Sequence, residues 1–139
     1  MVSAELLAIY RACDYAVRLP GGARAVLRIG APLPDALAAW MAGAASAAFI
    51  TAYNPRSQPQ PARINRAAQR ELFAAARAAG ARVLPGVGRL AGEVWREPSL
   101  FVAGLSMETV DALACRHSQN AVVLAHGNGQ VELRSYTVD

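Results

Sequence analysis

Three short polar islands interrupt an otherwise apolar chain, and their side chains are the ones equipped for chemistry. Thr51-Ala52-Tyr53-Asn54-Pro55-Arg56-Ser57 follows the apolar run Ala47-Ala48-Phe49-Ile50. Trp95-Arg96-Glu97-Pro98-Ser99 precedes Leu100-Phe101-Val102, and Gln119-Asn120 precedes Ala121-Val122-Val123-Leu124. Polar groups delivered at strand ends are what a rigid scaffold uses to present a ligand site. Asn54 and Asn65 supply donors and acceptors, and Arg56 supplies a fixed cationic fork. The helix start at Arg63 to Asn65 adds unpaired backbone N–H groups, and together these suit an anion. The competing reading makes Asn54 a turn residue before Pro55, leaves Arg56 solvated and sets Asn65 at the border of a buried face.

Glu97 is the one carboxylate in the three islands and so the candidate general acid or base. Trp95 beside it would raise its pKa by desolvation, while Arg56 or Arg96 would lower it. Its alternative is an exposed residue paired with Arg96 or Arg89, worth well under ~1 kcal/mol. Ser99 lacks the GxSxG elbow of an activated nucleophile. His117, near the end of a helix, is placed where an imidazolium would meet the helix dipole favourably, and His126 lies at the mouth of a hairpin. Neither follows a metal spacing, and Cys13 and Cys115 have no CxxC partner, so no metal and no cofactor is expected and both cysteines read as free, small buried hydrophobes. Pro85-Gly86-Val87-Gly88-Arg89 lacks the Gly-Lys-Ser/Thr ending of a phosphate loop and reads as a bend or bulge.

The three islands together resemble a bacterial family known as domain of unknown function 3293. The stretches that carry the resemblance are Ile50-Thr51-Ala52-Tyr53-Asn54-Pro55, Asn65 in the following helix, Trp95-Arg96-Glu97-Pro98-Ser99 and Gln119-Asn120-Ala121, within about residues 47–136. The resemblance implies a common fold and a shared site to which Asn54, Asn65, Glu97, Ser99, Gln119 and Asn120 converge, and it names no substrate. The resulting expectation is a small pocket, binding or enzymatic, for an anionic or polar metabolite. Arg56 would hold the anionic group, Tyr53 or Trp95 would form a stacking wall, and Glu97 would move a proton. A further reading makes Gln119 and Asn120 helix caps and the other residues turn formers.

These residues have to be positioned by a fold, and hydrophobic spacing outlines it. Ser3 caps a first helix with Leu6, Ile9, Tyr10, Cys13 and Val17 on a buried face, ending near Asp14. Pro20-Gly21-Gly22 turns a hairpin over residues 15–29, and Pro34 opens a helix carrying Leu37, Trp40, Met41 and Ala44. A strand follows over Ala47–Tyr53, then an uncompacted loop from Asn54 to Arg63 and a helix over Ile64–Ala79, with Ile64, Ala68, Leu72, Ala75 and Ala79 on its buried face. Strands over Arg82–Val87 and Ser99–Val102, a helix capped by Ser106, and a hairpin of Ala121–Ala125 with Val131–Tyr136 complete the chain. Helices and strands alternate, but two tight hairpins favour α+β, one domain with a largely antiparallel sheet covered by helices.

At 139 residues with 54% hydrophobic and 17% charged residues, the chain can bury a full core without staples. It has neither a long apolar run nor a signal-like start, which predicts a cytoplasmic protein with no membrane partner. All fourteen basic residues are Arg, giving a net charge of +4. Arg63, Arg66, Arg70 and Arg77 form a ridge along one helix, which makes an interaction module for an acidic protein or nucleic acid the alternative function. Nucleic acid is the weaker partner, because no aromatic interleaving accompanies the ridge.

Overall fold

Ser3 accepts a hydrogen bond from the Leu6 N–H at 3.2 Å and so opens helix α1 (Ala4–Ala12). The structure, a computed structural model, describes residues 2–136. Strands β1 (Asp14–Arg18) and β2 (Arg24–Leu27) then pair as the expected hairpin, with Tyr15 opposite Leu27. Helix α2 (Asp35–Met41) leads into β3 (Ser46–Ile50), a 3₁₀ turn at Pro55–Ser57 and the long helix α3 (Ala62–Ala78). Strands β4 (Arg82–Arg89) and β5 (Arg96–Ala103), helix α4 (Met107–Arg116) and the hairpin of β6 (Ala121–His126) with β7 (Val131–Ser135) follow.

The strands form one sheet in the order β2-β1-β4-β5-β3-β6-β7, every neighbouring pair antiparallel. The fold is thus α+β, a single antiparallel sheet with helices on both faces. Side chains alternate between faces along each strand. Phe49, Phe101, Val123, Tyr15 and Leu84 point to one face, where Leu37 and Met41 of α2 join them. Ala48, Ile50, Leu100, Val102, Val122 and Leu124 point to the other, under Leu72 and Ala76 of α3 and Val110, Leu113 and Ala114 of α4. This two-sided cover explains why β3, β5 and β6 read as unbroken apolar runs.

Several expectations need correction. Arg96 to Ser99 are the first half of β5, in register with Gly86 to Arg89, so the second island lies within a strand rather than before one. The Pro85–Arg89 segment is neither bend nor bulge; β4 pairs without interruption with β1 and β5. Its glycines serve close packing. A Cβ on Gly86 would lie 2.7 Å from Phe49 Cε2 and 2.9 Å from the Ala16 carbonyl oxygen. Gly86→Ala is therefore expected to cost about 1–3 kcal/mol, the range for overpacking a core, in urea unfolding.

The apolar face of α1 is not buried either: none of its residues is, and Ile9 is 46% exposed. On α3 the buried face is rotated to Asn65, Leu72 and Ala76, which leaves Ile64 43% exposed. Both cysteines are free, yet Cys115 is exposed and only Cys13 is buried. His117 is buried, and burial pushes its pKa down, so it does not serve as the imidazolium expected at the helix end. The Arg63, Arg66, Arg70 and Arg77 side chains are exposed along α3.

Candidate functional site

Where β3 ends, its backbone groups stay paired because side chains from α3 and the α4–β6 connection take them over. The Ala52 N–H donates to Gln69 Oε1 at 2.8 Å, the Asn54 N–H donates to Asn65 Oδ1 at 2.9 Å, and Gln119 Nε2 donates to the Tyr53 carbonyl at 3.1 Å. Thr51 Oγ1 donates to the Pro98 carbonyl at 2.7 Å, which fastens the corner to β5. The segment from Asn54 onward is accordingly not the uncompacted loop its composition predicts. Its path is strained: Asn54, Arg56 and Ser57 have positive φ, as does Ser118, whose carbonyl accepts from the Arg56 N–H at 2.8 Å. Asn tolerates the left-handed region readily, whereas Arg and Ser held there store of order 1–3 kcal/mol each, a kind of strain that clusters at functional sites.

One backbone donor sets the direction of a chain of amides. Because the Asn54 N–H can only donate, Asn65 presents Oδ1 to it and turns Nδ2 toward Asn54 Oδ1 at 2.8 Å. Asn54 must then present its own Nδ2 onward, and it donates to Glu97 Oε2 at 3.2 Å. Gln60 Nε2 adds a donor to Asn65 Oδ1 at 2.7 Å. Asn65 is 4% exposed and buried in α3, so the orientation of the Asn54 amide is fixed from inside the core. Burial raises the Glu97 carboxyl to about 7, and the Asn54 hydrogen bond opposes that shift. Desolvation prevails over any arginine, because neither Arg56 nor Arg96 acts on this group.

Glu97 opens onto a cavity of about 470 Å³ on the α2-bearing face of the sheet. The floor includes Tyr15, Phe49, Gly88 and Val123; Tyr15 and Phe49 meet edge to face with centroids 5.2 Å apart. Leu6, Ile9 and Tyr10 of α1 line it, as do Leu90, Glu93 and Trp95 from the β4–β5 connection. The apolar stripe of α1 therefore faces a hollow, which is why none of it is buried. Gly88 contributes no side chain, and a Cβ there would find Trp95 at 3.6 Å. Tyr10 Oη and Ser57 Oγ lie 2.6 Å apart, Asn120 Nδ2 donates to Tyr10 Oη at 3.1 Å, and Tyr15 Oη donates to the Tyr10 carbonyl at 2.5 Å. Burial pushes the Cys13 thiol and the Tyr15 phenol upward, so both stay neutral.

Of the residues singled out in the sequence, Asn54, Trp95, Glu97, Ser99, Gln119 and Asn120 line this one cavity. Asn65 stands behind Asn54 as its anchor, and Gln119 uses its amide N–H groups on the Tyr53 and His117 carbonyls. Ser99 Oγ donates to the Glu97 carbonyl at 3.0 Å, inside its own strand. Tyr53 meets the site through its backbone, and Arg56 is exposed; neither side chain is part of the lining. Tyr10, Cys13, Tyr15, Glu93 and Gln69 were missed. Gln69 had a signal, since Asn65 and Gln69 are an i,i+4 amide pair on the face that continues into Leu72 and Ala76. Among the described residues, no three His, Cys, Asp or Glu side chains group as a metal site, and no helix is long and apolar enough to cross a membrane.

The family model described as Protein of unknown function (DUF3293) matches residues 50–122, more than half of the chain. No curated protein and no solved structure matches it. The matched segment contains Asn54, Asn65, Glu97, Ser99, Gln119 and Asn120, while Leu6, Ile9, Tyr10, Tyr15 and Leu133 of the cavity lie outside it.

Proposed function

Since the chain belongs to the DUF3293 family, whose description assigns no activity, the site must speak for itself, and we propose a small-molecule pocket in which Glu97 exchanges a proton with the ligand. The observation that carries this is a carboxyl with a pKa of about 7, aimed by the Asn65–Asn54 amide chain into a cavity of 470 Å³. Half-ionised near neutrality, such a group can act as acid or base at nearly the same cost. The lining supports a polar ligand with an apolar body. An anion finds less support there, because Arg56 lies outside the lining.

The test is occupancy of the cavity. N-phenyl-1-naphthylamine, an uncharged dye that brightens in apolar surroundings, is expected to bind the wild type. Gly88→Leu should fold, since Gly88 sits in a strand with room for a Cβ, and should exclude the dye by filling the hollow. Equal dye binding by both proteins would refute the pocket.

A further inference from the structure

The sequence holds fourteen arginines and carries a net charge of +4, yet no basic side chain lines the cavity among the described residues. Its ionisable charges are two carboxylates, Glu93 and Glu97. Around them stand the aromatic rings of Tyr15, Phe49 and Trp95, the surroundings that attract an organic cation electrostatically. The hydroxyls do not offset this. Thr51 donates to the Pro98 carbonyl and Ser99 to the Glu97 carbonyl, so an anion would meet acids and aromatic faces with few free donors. Asn54 occupies Glu97 Oε2, and among the described residues Oε1 accepts no hydrogen bond, which leaves it for a ligand.

From this inventory we infer that the ligand is an organic cation, an amine carried on an apolar or aromatic body, with its ammonium against Glu97. The inference rests on the small-molecule reading above and narrows it to one chemical class. It also gives the raised Glu97 pKa a purpose: burial disfavours the lone carboxylate, and an arriving ammonium restores it. The groups facing Glu97 are Asn54 from the loop, Cys13 at the end of α1 and Tyr15 of β1, and Glu93 of the β4–β5 connection lines the same cavity. Cys13 and Tyr15 are held neutral, and no basic side chain lines the cavity among the described residues, so no cation of the protein competes for Glu97. When an alkylammonium binds the protonated site, the Glu97 O–H bond breaks, its proton leaves to solvent, and the carboxylate pairs with the cation.

Three matched probes decide the matter: 3-phenylpropylamine, 3-phenylpropan-1-ol and 3-phenylpropanoate, each titrated by calorimetry into the full chain and by displacement of N-phenyl-1-naphthylamine. The amine should bind at least tenfold tighter than the alcohol, and the carboxylate weakest. An alkylammonium stays charged below about pH 10, so between pH 6 and pH 8 the amine affinity should rise about tenfold as Glu97 loses its proton, while the alcohol affinity stays flat. Glu97→Gln should remove that pH dependence and weaken the amine on the order of thirtyfold, the low end for losing one partner of a buried charge pair. If that variant fails to fold, the wild-type pH series and Glu93→Gln, with a smaller loss, carry the test. Tighter binding of the alcohol or carboxylate, or a pH-independent amine affinity, overturns the inference. If the dye binds and no amine displaces it, the cation is wrong and the pocket stands; if the dye does not bind, the pocket reading falls first.

Discussion

At pH 8 the Glu97→Gln protein is expected to be more stable than the wild type by as much as about 3 kcal/mol. An unfolded carboxyl titrates near 4.5 and the folded Glu97 near 7, and a difference of that size at 1.36 kcal/mol per pH unit sets the upper bound. Between those values the folded protein keeps a proton that the unfolded chain has already released. The Glu97 contribution to stability is therefore complete below about pH 4.5 and is lost as pH rises through about 7. Glutamine fits the same place, since its carbonyl can accept from Asn54 Nδ2, and it has no charge to desolvate. Urea unfolding of both proteins from pH 4 to pH 8 isolates the effect, because every other titrating group is common to both. A stability difference that does not change with pH would show that the Glu97 carboxyl is not desolvated.

Asn65→Ala should be the most damaging single polar substitution at the site, with a loss of about 3 kcal/mol. The amide it removes accepts from the Asn54 N–H and from Gln60 Nε2 and donates to Asn54 Oδ1, all within 2.9 Å. Each buried polar group left unpaired costs about 1–3 kcal/mol, and partial relaxation keeps the sum below simple addition. The same substitution releases the left-handed Asn54 from its only amide anchor in α3, so the Asn54–Glu97 hydrogen bond should go with it. Urea unfolding gives the stability loss. The pH dependence of stability should shift upward relative to the wild type, because the hydrogen bond that lowers the Glu97 pKa is gone. A variant within ~1 kcal/mol of the wild type would mean that the network is solvated rather than buried.

Local chemistry made much of this legible in the sequence. Ser3 and Ser106 cap their helices, both hairpins turn where Gly and Pro place them, and the continuous apolar runs become the interior strands. The strand order could not be read, because β3 pairs with β5 and β6 across long stretches of chain and nothing in its own residues names those partners. Pro98 obscured the true start of β5, since proline is unusual inside a sheet. The hollow was hidden for a different reason. Leu6, Ile9 and Tyr10 have the spacing of a core-facing helix, and periodicity records that a face is apolar without recording whether protein atoms fill the space before it. Arg56 misled as a plausible anion ligand in a polar island, although its backbone, not its guanidinium, is what the corner uses.

The family match divides the cavity along the chain. Residues 50–122 hold the corner that aims Glu97, whereas the helix standing over the hollow and the edge-strand residue Leu133 come from the flanks. Leu6 and Ile9 touch the cavity through apolar side chains, which cannot hydrogen-bond to the amide chain that orients the carboxyl. The wall of the hollow and the corner that orients Glu97 are thus separable: a substitution at Leu6 or Ile9 alters the space before the carboxyl without removing a hydrogen bond from the amide chain that aims it.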